Sequence, residues 1–116
     1  MIDKKAIGNR GEALAEKYLS EKGYTPLVKN YRCKRAEIDL IVRNEETLVF
    51  VEVKARSSTG YGFPEEAVDE KKAAMIIEAA DQYIHEAGWE KAIRFDIVSI
   101  ILHPQVSIRH FEDAFW

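Results

Sequence analysis

The 116-residue chain is long enough for one domain, residues 1–116, around a single modest core, and its 47% hydrophobic content excludes a disordered or fibrous protein. One cysteine, Cys33, excludes an internal disulfide framework and a cysteine-rich zinc site. With no signal-like apolar segment and no run approaching the roughly 20 apolar residues that span a bilayer, a reducing, cytoplasmic location without a membrane partner is expected.

The first element is predicted as a helix over about Lys4–Lys22. Ile7, Gly11, Leu14, Ala15, Tyr18 and Leu19 share one stripe at helical spacing, and Gly23 stops it. Gly8 and Gly11 cost helix stability, which suggests that something packs closely on this face. Three strand candidates follow. "TPLVKNYR" (25–32) has the weakest pattern; "EIDLIVR" (37–43) and "TLVFVEVKA" (47–55) alternate well. The short polar turn between the last two favours an antiparallel hairpin. "SSTGYGFP" (57–64) reads as a loop. A second helix begins at about Glu65 or Asp69 and ends at Ala87, with Gly88 closing it. "IRFDIVSIIL" (93–102) is a buried strand, and the chain ends in an edge strand and a short aromatic tail. The order αβββαβ(β) indicates an α/β or α+β domain, one sheet with helices packed against it.

The formal net charge of −3 argues weakly against a nucleic-acid partner, but it conceals an asymmetry. Through Arg35 there are nine Lys or Arg against four Asp or Glu; from Ala36 onward there are eight against sixteen. "KNYRCKR" contributes Lys29, Arg32, Lys34 and Arg35, a segment able to meet phosphates or to stand as a solvated basic loop.

The chemistry concentrates at one strand end. Glu52 and Lys54, two apart, share a face just before a glycine-rich loop. In the hairpin register Asp39 falls across from about residues 51 to 52, so two carboxylates become neighbours. Such a pair repels and raises its own pKa unless a positive charge intervenes. Mg²⁺ or Mn²⁺ suits hard oxygen ligands with open positions. A lysine on the same face, Lys54, can hold an attacking water and offset charge on a phosphate. Glu12 sits at the border of the first helix's apolar stripe, where a carboxylate can face the end of the sheet.

This Glu…Asp…Glu-x-Lys pattern resembles the PD-(D/E)XK nuclease superfamily, and within it the small YraN-like proteins related to archaeal Holliday junction resolvases. "NRGEALAEKYL" (9–19), "AEIDLIV" (36–42), "FVEVKAR" (50–56), "FPEEAVDEKK" (63–72) and "RFDIVSI" (94–100) carry the resemblance in order along nearly the whole chain. It implies a restriction-endonuclease-like fold, a central mixed β-sheet flanked by helices, and metal-dependent hydrolysis of DNA phosphodiesters, with branched or structured DNA as a candidate substrate. It implies Asp39, Glu52 and the Val53 carbonyl as ligands of Mg²⁺ or Mn²⁺. Lys54 would orient or activate the water, and Glu12 would bind a metal-held water or a second metal. The family position before "EID" is typically Gly; here it is Ala36, which matters only if the backbone needs positive φ there. Resolvase-like relatives work as two-fold dimers, so a homodimer is implied as well. The tail "HFEDAFW" would serve that interface or cover the sheet edge of its own chain.

Each residue also has a structural reading. Glu52 and Lys54 could form a salt bridge, Asp39 could be a surface acid, and Glu12 an exposed helix acid. Glu37 could support Asp39 or simply face solvent near Arg35. Asp96 interrupts an apolar strand and reads as structural, a capping or ion-pair partner, with support of the site as the lesser alternative. Arg56, Lys71 and Lys72 are phosphate ligands or plain surface cations. Tyr61 stacks on a base or, more simply, anchors a loop. His85, His103 and His110 show no metal spacing, and His85 reads as an exposed helix residue; Cys33 lacks the His or Asp partner of a nucleophile, and Ser57 and Ser58 read as loop residues. The rival functions are a non-catalytic nucleic-acid-binding module that kept a nuclease fold and an interaction subunit whose charges only make ion pairs.

Overall fold

A computed structural model describes residues 3–58 and 68–115. Tyr61, the glycine-rich segment around it and a helix start at Glu65 lie outside the described residues. Asp3 caps helix α1 (Lys4–Glu21), its carboxylate accepting the N–H groups of Lys5 and Ala6. Gly23, at φ +100°, turns the chain into β1 (Thr25–Cys33). β2 (Ala36–Arg43) and β3 (Thr47–Ser58) follow, joined by a turn in which the Asn44 side chain accepts the N–H groups of Glu46 and Thr47. α2 (Glu70–Ala87) starts on the Asp69 cap and stops at Gly88, φ +65°. β4 (Ala92–His103) and β5 (Ser107–Phe111) complete the order αβββαββ.

The five strands form one mixed sheet in the order β1-β2-β3-β4-β5. Among the described strands only the β3–β4 pair is parallel, because α2 lies in the connection between them. The arrangement is consistent with a restriction-endonuclease-like fold. α1 covers one face, with Ala15 and Leu19 against Leu40, Val42, Val49, Val51 and Val98. α2 covers the other, with Ile76, Ala79 and Ala80 against Ile38, Ile41, Phe50 and Phe95. Period-2 alternation along β3 therefore feeds two cores. Among the described residues no helix is long and apolar enough to cross a membrane.

Two details depart from the sequence reading, and the tail takes one of the two places left open for it. Ser57 and Ser58 belong to β3 and not to a loop, since the parallel ladder runs on to Ser58 opposite His103. The alternation in β2 breaks: Ile38 and Ile41, three apart, both pack on the α2 side. The described tail packs on its own chain, with Phe115 against Phe95 and the Ala114 N–H donating to the Phe95 carbonyl at 2.8 Å. Ala36 is buried strand backbone and is not among the described non-glycine residues with positive φ, so its replacement of glycine carries no strain.

Gly11 sets the distance between α1 and the sheet. A Cβ at this position would collide with the Cβ of Ala55, so only glycine lets the helix approach β3 this closely. Gly8, one turn earlier, has open space beside it.

Candidate active site

The site begins where β2 and β3 separate. Their ladder ends at Leu40 opposite Val51, which puts Asp39 one step beyond it, opposite Glu52. On the other side, Asn30 of β1 takes φ +52° as the β1–β2 register passes it. Released from the ladder, the Val53 N–H donates instead to Oδ2 of Asp39 at 2.8 Å. The side chain of Asp39 thus replaces a strand carbonyl and is held beneath Glu52.

Glu52 is buried and Asp39 half-buried. Burial raises the Asp39 pKa first, the Glu52 charge adds to it, and the Val53 N–H opposes both; the result is about 8. Asp39 thereby holds its proton more tightly than a free carboxyl does. Glu52 is 8% exposed. Its Oε1 accepts from Lys72 Nζ at 3.2 Å, while Oε2 is buried with no donor among the described residues. An acceptor in that position costs free energy until a proton or a cation reaches it.

Above the pair opens a cavity of about 600 Å³ between the start of α1, the second half of β3 and the start of α2. Glu12, Glu52, Val53 and Lys54 line it together with Lys4, Arg56 and Lys72. Asp39 is not on its wall and reaches it through Glu52 and Val53. Glu12 is half-buried; burial raises its pKa, a hydrogen bond with Asn30 lowers it, and the Glu37 and Glu52 charges raise it again. Lys54 is half-buried, and its side chain makes no hydrogen bond or ion pair with a described residue. Among the described residues no three His, Cys, Asp or Glu side chains stand close enough to enclose a metal on their own. The donor set is two adjacent carboxylates, one with an unsatisfied oxygen, and a third acid across the cavity. That chemistry fits a hard divalent cation that keeps several waters.

The basic residues of the sequence reading divide into three groups. Lys29 pairs with Glu16 at 2.6 Å, Arg32 with Glu37 at 3.4 Å and Lys34 with Glu78 at 2.6 Å, all open to solvent. Such pairs are worth at most about 1 kcal/mol each and can be exchanged for phosphates. Lys34, Arg35 and Lys71 surround a second cavity of about 340 Å³ floored by Cys33, Ala36 and Met75. Arg56 and Lys72 line the first cavity. Adjacent lysines at the start of α2 therefore face different cavities.

Two contributors were absent from the sequence reading. Lys4 shares the α1 stripe with Gly8 and Glu12 at spacing i, i+4, i+8, a signal that the helical wheel does contain. Asn30 has no sequence signal beyond the tolerance of asparagine for positive φ.

A second polar cluster lies apart from the cavity, near the other end of α1. Asp96 is fully buried, as expected of a structural ion-pair residue. Arg94 grips it at 2.8 Å through both Nε and Nη2, His110 Nε2 lies 2.7 Å from it, and the Asp113 N–H donates to it. Lys22 Nζ reaches the other ring nitrogen of His110 at 3.0 Å, and Arg94 also donates to the Tyr24 hydroxyl at 2.7 Å. Burial raises the Asp96 pKa, but His110, Arg94 and the Asp113 N–H together hold it below the usual carboxylate range. His110 is therefore a structural partner of Asp96.

The model of the uncharacterised protein family UPF0102 matches residues 11–100. Similar proteins include a UPF0102 protein of Caldanaerobacter subterraneus, 42% identical over 98% of each chain, and one of Chlorobium chlorochromatii, 44% identical over 95% of this chain and 91% of its own. A UPF0102 protein of Flavobacterium psychrophilum is 38% identical over 100% of this chain and 98% of its own.

Proposed function

The chain belongs to the uncharacterised protein family UPF0102, the YraN-like family that its motifs anticipate, and from the site it builds we propose that it is a metal-dependent endonuclease of the PD-(D/E)XK superfamily acting on DNA. The observation that carries this reading is the Asp39–Glu52 pair at the end of the hairpin ladder. One of its oxygens, Glu52 Oε2, is buried without a donor among the described residues, beside a cavity lined by lysine and arginine. Mg²⁺ or Mn²⁺ held by Asp39, Glu52 and the Val53 carbonyl would supply Lewis-acid polarisation of a phosphate and offset the charge that develops on it. The residues of the chain do the rest. Lys54, on the cavity wall and engaged by no described residue, orients the attacking water and faces the developing negative charge. Glu12, across the cavity, accepts hydrogen bonds from water that enters it. Lys4 and Arg56 hold the flanking phosphates, and Arg35 and Lys71 extend the basic surface past the start of α2.

In the reaction, water forms a new P–O bond, the P–O3′ bond breaks, and the 3′ oxygen leaves with a proton. The products are a 5′-phosphate and a 3′-hydroxyl, with no covalent enzyme intermediate. Branched DNA is the proposed preference within this class, with pairing of two copies matching the two-fold symmetry of a junction. The test is incubation of the purified protein with labelled four-way, flap and linear DNA in Mg²⁺ or Mn²⁺, beside Lys54→Ala. Metal-dependent cleavage by the wild type alone supports the reading. DNA binding without Mn²⁺ uptake or cleavage would instead make the protein a non-catalytic binding module.

A further inference from the structure

Lys72 brings a positive charge into contact with the carboxylate pair. It comes from the first turn of α2, where its main-chain N–H is already held by the Asp69 cap at 2.8 Å. Its ammonium sits 3.2 Å from Oε1 of Glu52, in the cavity that also holds Lys54 and Arg56. The two ends of this ion pair differ in environment: the Lys72 side chain is 48% exposed and the Glu52 side chain 9%. Glu52 is fixed in the sheet, while Lys72 is long, half in water and tethered only through its backbone. If one partner leaves, it is Lys72.

We propose that Lys72 is an exchangeable counter-ion: it holds Glu52 while no divalent cation is bound, and it turns to a DNA phosphate once Glu52 is engaged by one. This rests on the metal-dependent reading above. The ammonium and the divalent cation compete for the same carboxylate, and the released ammonium lies in a cavity suited to phosphate. Cation uptake and DNA binding then reinforce each other, by the same factor in both directions. Lys72 acts as a positioning residue that links the two, and not as an acid or base.

The neighbouring lysine supplies the control. Lys71 carries the same charge one residue away but faces the second cavity. Calorimetric titration with Mn²⁺ of the wild type, Lys72→Met, Lys72→Arg and Lys71→Met separates competition at Glu52 from the general loss of a positive charge. Lys72→Met should bind Mn²⁺ about fivefold or more tighter than wild type, the lower end of ordinary coupling between sites. Lys71→Met should tighten it less than about twofold, as expected for a screened charge outside the contact, and Lys72→Arg should behave as wild type. Fluorescence anisotropy with a short DNA duplex on a Lys54→Ala background gives the other half. Lys72→Met should leave DNA affinity unchanged without Mn²⁺ and weaken it with Mn²⁺, lowering the salt slope by about one. The α2 substitutions are at exposed positions, and thermal unfolding of each variant is the check that it is folded. A wild type that takes up Mn²⁺ while Lys72→Met binds it no more tightly overturns the exchange and leaves the nuclease reading standing. A wild type that takes up no Mn²⁺ overturns both.

Discussion

The main-chain N–H of Val53 donates a 2.8 Å hydrogen bond to Oδ2 of Asp39, one step past the last paired residues of β2 and β3. A side chain thus completes what the partner strand leaves undone. The bond aligns a carboxyl under Glu52 and fixes the backbone that carries Glu52, Val53 and Lys54. The cost is a carboxyl taken largely out of water and held close to another, and its raised pKa records both, burial first.

Asp39→Asn should therefore stabilise the protein at alkaline pH. In the folded state Asp39 titrates at about 8, against 3.8 for the free group. Between those values the folded state binds more protons than the unfolded state, so stability falls as pH rises from about 4 to about 8. The amide oxygen of asparagine still accepts the Val53 N–H but carries no charge to repel Glu52. Thermal unfolding in the absence of divalent metal should show the Asp39→Asn variant melting a few degrees above wild type at pH 8, corresponding to about 1 kcal/mol or more. The two curves should converge near pH 4. A lower melting point at pH 8 would mean that the carboxyl pair is not strained.

Gly11→Ala should destabilise the fold even though alanine is the better helix former. The helix gains about 0.5–1 kcal/mol from propensity. The new methyl group meets the Cβ of Ala55, and overpacking of this kind costs about 1–3 kcal/mol. The urea midpoint should drop, and the double variant with Ala55→Gly should recover most of the loss. Gly8→Ala, in open space, should not lower the midpoint. If the Ala55→Gly change rescues nothing, the close approach of α1 to β3 is wrong.

Asp96→Ala should be the most damaging single change outside the apolar core. It leaves Arg94 and His110 facing a buried gap, a loss of about 3–5 kcal/mol for a broken buried ion pair. The folded pKa of Asp96 lies below its free value of 3.8. Its contribution is therefore complete above about pH 4 and is lost as pH falls below that. Denaturant unfolding at pH 7 and pH 3 should show a difference between wild type and variant that shrinks in acid.

The sequence pattern reached the hairpin because two strong alternations and a short polar turn admit few registers, and the same register put Asp39 opposite Glu52. What it missed depends on contacts across long stretches of chain. Lys72 meets Glu52 from twenty residues away, after a connection that no periodicity describes. His110 meets Asp96 from a short edge strand whose pairing only the folded sheet decides. The serines at the end of β3 read as loop residues by composition, yet the long apolar β4 gives them a partner strand. The acids that engage Lys29, Lys34 and Arg32 sit on α1, α2 and β2, so the basic segment looked freer in one dimension than it is in three.

Lys54→Ala separates a working site from a structural one. If the Lys54 side chain supported the fold, its loss would lower stability, but it makes no hydrogen bond or ion pair with a described residue and stands on a cavity wall. Substitutions of that kind stay within about ±0.5 kcal/mol. If it orients water and faces the charge that develops on phosphate, its loss removes a transition-state contact, worth about 10²–10³ in rate by comparison with other preorganised donors. The expected result is an unchanged melting point, Mn²⁺ uptake equal to or tighter than wild type, since a nearby positive charge is gone, and cleavage reduced by about a hundredfold or more. A variant that cuts as fast as wild type would remove Lys54 from the chemistry, leaving the carboxylate pair to act without an amine.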